Sequence, residues 1–277
     1  MSEDLVRTTK AYYDSDSADN FYHTIWGGED IHVGLYKDEK EPIFDASART
    51  VEQMIDMTPL DKNSKVLDVG AGYGGAGRHI AKKIGCHVTC QNLSEAENDR
   101  NREKNKDQGL DHLIDVVGGN FEELPFEDAS YDVVWSEDAF LHSSRRDKIF
   151  AEVARVLRPG GHFIFTDPMQ ADHVTGEEEA LKPIYGRIHL ESLGSVKKYR
   201  QYAADQGLEE VAVQEMPEQL TRHYSRVLEE VESRYDEVLQ VCDQDYIDNM
   251  RNGLKHWING GKEGILNWGI LHFRKKA

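Results

Sequence analysis

Val66-Leu67-Asp68-Val69-Gly70-Ala71-Gly72-Tyr73-Gly74-Gly75 reads as a short apolar strand running into a glycine turn, with an acid two residues before the first glycine. Glycines 70, 72 and 75 have the spacing at which bare backbone approaches a ligand and opens a helix. A dinucleotide would bring its anionic pyrophosphate to this turn, where the Asp68 carboxylate repels it. A ligand carrying an ammonium gains a charge-assisted contact there instead. S-adenosylmethionine has that ammonium and a sulfonium beside it, so the stretch predicts a methyl-donor site. The plainer reading is a strand-to-helix turn with no ligand.

Outward from this turn, short apolar runs alternate with helical segments, the pattern of a parallel sheet covered on both faces. The runs fall at 65–69, 87–91, 114–118, 131–136 and 162–166, with helices expected near 74–84, 95–108 and 148–156. The turn Arg158-Pro159-Gly160-Gly161 separates the last of these helices from the fifth strand. Before the sheet, residues 1–60 read as an N-terminal helical layer, broken at Trp26-Gly27-Gly28 and resuming over 46–57. Residues 61–168 form the cofactor-binding core. Residues 169–277 supply a substrate-binding helical lid plus the final strands, with a helix at 196–205, a strand at 210–214, exposed helices over an opening at 219–257 and a last strand at 265–273.

Composition narrows the function. Acidic residues number 51 against 33 basic, for a net charge of −18, which argues against nucleic acid as substrate or partner. Such an excess suits a salty cytoplasm, where screening weakens self-repulsion. The three cysteines, Cys86, Cys90 and Cys242, show no metal-ligand spacing, so neither disulfides nor a bound metal is expected. No apolar run reaches membrane-span length and the first residues are acidic and polar, so a cytoplasmic protein without membrane contact is expected, as monomer or homo-oligomer.

In an open parallel sheet, ligands bind outside the carboxyl ends of the strands. The second strand ends at Gln91-Asn92-Leu93-Ser94, where an acid commonly takes ribose hydroxyls and Asn92 offers an uncharged acceptor. The third runs into Asn120-Phe121, an amide for an adenine edge beside an aromatic face. Polar groups at the end of the fourth, Ser136 among them, face cofactor and acceptor, and His142 follows closely.

The runs "VLDVGAGYGG", "LPFEDASYDVVWSEDAFLH" and "RVLRPGGHFIFTDP" together resemble the class I S-adenosylmethionine-dependent methyltransferases. Over nearly the whole chain, "DNFYHTIWGGEDIHVGLY", "GRIHLESLG", "RHYSRV" and "NGLKHWINGG" resemble the sarcosine/dimethylglycine N-methyltransferases of betaine synthesis. The resemblance implies a Rossmann-like, seven-stranded, mostly parallel sheet with an antiparallel last strand. It places the cofactor loop on Asp68, Gly70, Ala71, Gly72 and Gly74, the ribose position on Asn92 with Leu93 beside it, and adenine on Asn120 and Phe121. Asn92 and Asn120 depart from the acids usual there. Tyr13 and the turn His32-Val33-Gly34 match segments that close over the cofactor in related small-molecule methyltransferases.

A small amine such as dimethylglycine must lose a proton before it attacks, and its carboxylate needs a cationic anchor. Arg187 and Arg222 are favoured for that anchor over Arg200 and Arg226. Aromatic faces stabilise the quaternary product; Tyr22, Trp26, Trp135, Tyr224, Trp257 and Trp268 are available for that wall, and Tyr22, Trp26 and Tyr224 are chosen. His142 is the candidate general base. The competing readings are a methyltransferase for another small acceptor (a phosphoamine, phenol or lipid), a nicotinamide oxidoreductase, and a cofactor-binding module without turnover.

Overall fold

In the computed structural model, which describes residues 3–175, 179–187 and 190–277, the Asp68 stretch is an interior strand of a seven-stranded sheet. The strands are β1 (Lys65–Val69), β2 (His87–Asn92), β3 (Ile114–Gly118), β4 (Tyr131–Glu137), β5 (Leu157–Thr166), β6 (Leu208–Glu215) and β7 (Gly269–Lys275). Their spatial order is β3-β2-β1-β4-β5-β7-β6. The first five strands are parallel; β7 runs antiparallel to both β5 and β6. β1 is buried from Val66 to Val69, as its apolar run requires once helices cover both faces. The winding reverses between β1 and β4, which opens a crevice at their carboxyl ends.

Two strands differ from expectation. β5 starts at Leu157 rather than at 162: Tyr131 pairs with Leu157 and pairing resumes at Val133 with His162, so the intervening Pro-Gly-Gly residues bulge out, with Gly160 at φ +78°. The last strand begins at Gly269 because Leu266–Asn267 pairs with Met169–Gln170 in a separate two-stranded ladder. A Cβ at Gly269 would lie 2.1 Å from the Gln214 carbonyl, so only glycine lets β7 enter beside β6.

The helices are α1 (Glu3–Tyr13), α2 (Asp16–Ile25), α3 (Ile43–Met57), α4 (Gly75–Ile84), α5 (Glu95–Asp107), α6 (Arg146–Val156), α7 (Lys182–Arg187), α8 (Val196–Asp205), α9 (Pro217–Ser233), α10 (Tyr235–Val238) and α11 (Gln244–Lys262). Among the described residues, no helix is long and apolar enough to cross a membrane. α5 has almost no apolar residues; it buries Glu97, Asn98, Asn101 and Asn105, and Ser94 caps it by accepting from the Glu97 amide. α9 and α11 are not merely exposed covers. Their inner faces, with Leu220, Tyr224, Val227, Ile247, Leu254 and Trp257, join Phe21, Tyr22, Ile25 and Trp26 of the N-terminal layer in one apolar cluster.

Polar contacts fasten that layer to the sheet. Arg78 of α4, 1% exposed, donates to Glu29 at 2.6 and 2.9 Å, to the Tyr73 carbonyl, and to Asn101 and Asn105 of α5. Asp19 of α2 accepts from the Tyr73 hydroxyl and from Arg100. At the end of α1, Asp14 accepts from Ser94 Oγ at 2.6 Å. The N-terminal helices are thereby held over the carboxyl ends of β1 and β2.

Candidate active site

The crevice at the switch point is a cleft of about 870 Å³, its mouth included, lined by the strand ends of the sheet and by α1 and the segment after α2. Asp68 lies at its floor, 2% exposed, and its Oδ2 has no hydrogen-bond partner among the described residues. Burial pushes its pKa well above the usual carboxylate range, helped by the charges of Glu137 and Asp30 and opposed by His32. Gly70 and Gly72 take φ of +76° and +51° beside it. A Cβ on Gly70 would come within 2.4 Å of the Ala139 Cβ, so the turn holds the backbone close under the cleft. The amides of Gly70 and Ala71 donate to the Gln91 carbonyl, tying this turn to β2.

Four further carboxylates line the same cleft: Glu97, and the group Asp30, Glu137 and Asp138 with His32 among them. His32 Nε2 stands 3.5 Å from both Asp30 Oδ1 and Glu137 Oε2. Burial alone would lower its pKa, but the charges of Glu137 and Asp30 raise it to about 10, so it is an imidazolium at neutral pH. Burial raises Glu137 to about 7, against the pull of His32. Asp138 sits at φ +51°, a conformation rare outside glycine, and its contacts keep it there. Its Oδ2 accepts from the Val33 amide at 2.6 Å, and its Oδ1 from Thr166 and from the Trp268 indole, both at 2.8 Å.

At the end of β2, Asn92 and Leu93 line the cleft, and Asn92 Nδ2 donates to Glu97 Oε2 at 2.7 Å. Glu97 is buried, which raises it to about 7. The acid that the sequence lacks at the strand end therefore comes from the first turn of α5. Asn120 and Phe121 line the opposite end, with Asn120 Oδ1 accepting from the Glu122 amide.

Tyr13 reaches over the cleft from α1, its hydroxyl 2.9 Å from His142 Nε2. His142 closes the short 3₁₀ turn after β4, whose Leu141 amide donates to Asp167 and whose Leu141 carbonyl accepts from Arg146. Behind this pair lies a second cavity of about 370 Å³, lined by Tyr13, Tyr22, Trp26, Ile31, His32, Val33, Asp138, Leu141, His142, Pro168, His223 and Tyr224. It shares Tyr13, Ile31, His32, Asp138 and His142 with the cofactor cleft. The two cavities thus meet at one wall.

Several expected residues lie elsewhere. Ser136 is buried within the sheet, donating to the Val69 carbonyl, and does not line the cleft. Gly74 caps α4 and makes room for Asn101, whose side chain a Cβ would meet at 2.3 Å. Arg222 faces a separate surface groove and donates to the Tyr36 carbonyl; Arg200 pairs with Glu210, and Arg226 with Glu229 and Glu230. Arg187 ends α7, but its side chain lies outside the described residues. Trp135, Trp257 and Trp268 are buried away from the acceptor cavity. In contrast, Glu137 and Asp138, among the polar groups expected at the end of the fourth strand, do line the cleft, and Asp30, Glu97 and His223 join the two cavities without having been singled out as site residues.

A family described as a methyltransferase domain matches residues 67–165, from within β1 into β5. The sarcosine/dimethylglycine N-methyltransferase of Halorhodospira halochloris is 52% identical over 99% of this chain and 98% of its own length. The crystal structure of a candidate sarcosine dimethylglycine methyltransferase from Galdieria sulphuraria superposes with a TM-score of 0.88 at 44% identity, covering 95% of this chain and 99% of that one. At 20% identity, where only the fold is shared, a phosphoethanolamine N-methyltransferase from Haemonchus contortus in complex with S-adenosylhomocysteine aligns at a TM-score of 0.85, covering 100% of this chain and 61% of that one. Near-full-length identity of this order, on a sheet with this strand order, places the chain in the sarcosine/dimethylglycine N-methyltransferase family of class I S-adenosylmethionine-dependent methyltransferases.

Proposed function

We propose that this methyltransferase methylates the nitrogen of sarcosine and dimethylglycine to give glycine betaine, an osmolyte, in the cytoplasm. The observation that carries the reading is the second cavity: Tyr13, Tyr22, Trp26 and Tyr224 line a space that shares a wall with the cofactor cleft. Aromatic faces stabilise a nitrogen that gains positive charge as it is alkylated. Among the described residues no lysine or arginine lines the cavity, and its one cationic side chain, His32, is already faced by Asp30 and Glu137, which disfavours a doubly charged phosphorylated acceptor. The net charge of −18 supports small acceptors over nucleic acid.

The cleft fits S-adenosylmethionine. Asp68 Oδ2 and Glu137 Oε1 are buried without hydrogen-bond partners among the described residues, a costly state that a cationic ligand relieves. Asp68 and the Gly70–Gly72 backbone would hold the methionine end, Asn92 and Glu97 the ribose, and Asn120 and Phe121 the adenine. When bound, the cofactor supplies an electrophilic methyl on a sulfonium whose departure as a thioether needs no acid.

The remaining work falls to the chain. The acceptor ammonium has to shed a proton, and His142, bonded to Tyr13 at the shared wall, is placed to take it. Tyr22, Trp26 and Tyr224 exclude water and orient the freed lone pair. Mass analysis of reactions with glycine, sarcosine and dimethylglycine tests the assignment. Methyl transfer to dimethylglycine is expected; its absence overturns the reading.

A further inference from the structure

We propose that the acceptor's carboxylate is held by two uncharged N–H donors, the Trp26 indole Nε1 and the His223 Nε2, and that this pair restricts the site to amino acids. The inference rests on the acceptor reading above and adds the group that recognises the acid end. Trp26 is 3% exposed, lines the acceptor cavity, and its indole N–H has no hydrogen-bond partner among the described residues. An indole buried without a partner is costly unless a ligand completes it, and the cavity it lines is where a ligand goes.

His223, on α9, comes to the same cavity from the other side, its ring centroid 5.5 Å from that of Trp26. Its Nδ1 accepts from the Gly34 amide at 3.3 Å and lies 2.9 Å from the Tyr36 hydroxyl. An Nδ1 that accepts from a backbone N–H carries no proton, so the imidazole is neutral and its proton sits on Nε2, which makes that atom a donor. The lid segment thus selects the tautomer.

The two ends of the cavity differ. Tyr13, His32, Asp138 and His142 belong to the wall shared with the cofactor cleft, whereas Trp26 and His223 line only the acceptor side. A short amino acid spans this difference with its nitrogen toward the cofactor and its carboxylate toward Trp26 and His223. Uncharged donors bind a carboxylate through charge-assisted bonds yet leave no stranded cation when the product departs.

The test compares wild type with Trp26→Phe, which keeps an aromatic wall and removes the N–H. The KM for dimethylglycine is expected to rise at least tenfold, with the dissociation constant of S-adenosylhomocysteine unchanged. Inhibition by glycine betaine should weaken to the same degree, and inhibition by choline, which lacks the carboxylate, should not. An unaltered KM in an enzyme that methylates dimethylglycine overturns the anchor alone, as does equal weakening toward betaine and choline. A larger KM effect from Arg187→Ala with none from Trp26→Phe moves the carboxylate to Arg187 and overturns the proposal. A wild type inert toward dimethylglycine removes the acceptor reading and the anchor together. Should Trp26→Phe not fold, wild type still decides: betaine must inhibit at least tenfold more strongly than choline.

Discussion

The Tyr13 hydroxyl and His142 Nε2 meet at 2.9 Å, with their rings edge to face at 5.4 Å between centroids, where donor and acceptor chambers join. One residue comes from the first helix and the other from the turn after the fourth strand, so the contact exists only when α1 is seated. Tyr13→Phe keeps the ring and removes this bond. The turnover number should fall by roughly tenfold to a hundredfold, the range of a positioned proton-transfer partner. Single-turnover kinetics measure it, and an unchanged chemical step would remove Tyr13 from the reaction.

Asp68→Asn should raise the dissociation constant of S-adenosylmethionine by at least about tenfold, since a charge-assisted contact of about 1.5 kcal/mol or more is lost. The fold should persist, because the carboxylate is buried without a partner on Oδ2 and its neutralisation relieves the desolvation penalty. Titration calorimetry with circular dichroism on the same sample checks both halves. Unaltered affinity would contradict the role.

Cofactor affinity should rise with pH. Burial holds Glu137 at about 7 and pushes Asp68 upward in the same direction, so Glu137 is part-protonated in the free enzyme near neutral pH and a cationic ligand displaces that proton. Between about pH 6 and 8 the dissociation constant of S-adenosylmethionine should fall, by at most about tenfold per pH unit for each proton released. The spent cofactor, without the sulfonium charge, should show a shallower slope. Calorimetry in buffers of different ionisation heat reads the proton count; equal heats with a flat pH profile would refute the coupling.

The free protein should lose stability over the acid-to-neutral range. Burial raises Glu97, Glu137 and Asp167 to about 7, against roughly 4 when unfolded, so the native state binds more protons between those values. His32, held at about 10, contributes stability that is complete below its unfolded value of about 6.5 and fades as pH rises through 10. Melting temperatures taken from about pH 5 to 8 should therefore decline, and saturating cofactor should flatten that decline.

Arg78→Met should cost about 2–4 kcal/mol in urea unfolding, because it leaves Glu29 with only Lys104 and Gln108 on its other oxygen and breaks the buried bonds to Tyr73, Asn101 and Asn105. Cofactor affinity should fall with it, as Glu29 anchors the segment that carries Asp30 and His32. A loss below about 0.5 kcal/mol would show that α4 holds the lid by other means.

The floor of the cleft is legible in the sequence because its information is local: Asp68, Gly70 and Gly72 lie within one turn, and strand, acid and φ-permissive residues are read together. Asn92, at the end of the second strand, lines the same cleft, yet its acid partner Glu97 is hidden in a helix of uniformly polar composition. Glu137 and Asp138 are marked by their place at a strand end, whereas Asp30 is one among 51 acidic residues, and only its burial beside His32 distinguishes it. Arg222 shows the opposite difficulty. The period of Leu220, Tyr224, Val227 and Val231 turns one face of α9 inward and leaves Arg222 and Arg226 off it, so side-chain chemistry alone misleads where helix phase decides. Trp26 and His223 are 197 positions apart, beyond any spacing rule, and meet only because α2 packs on α9.

β7 follows every other strand in the chain but occupies an interior place between β5 and β6. While it is still inside the ribosome, β6 has nothing to pair with, and Asp138 lacks the indole of Trp268 that helps hold its strained backbone. A growing polypeptide therefore cannot finish its sheet or its reaction chamber piecemeal, and activity should switch on as a single late event when that stretch emerges.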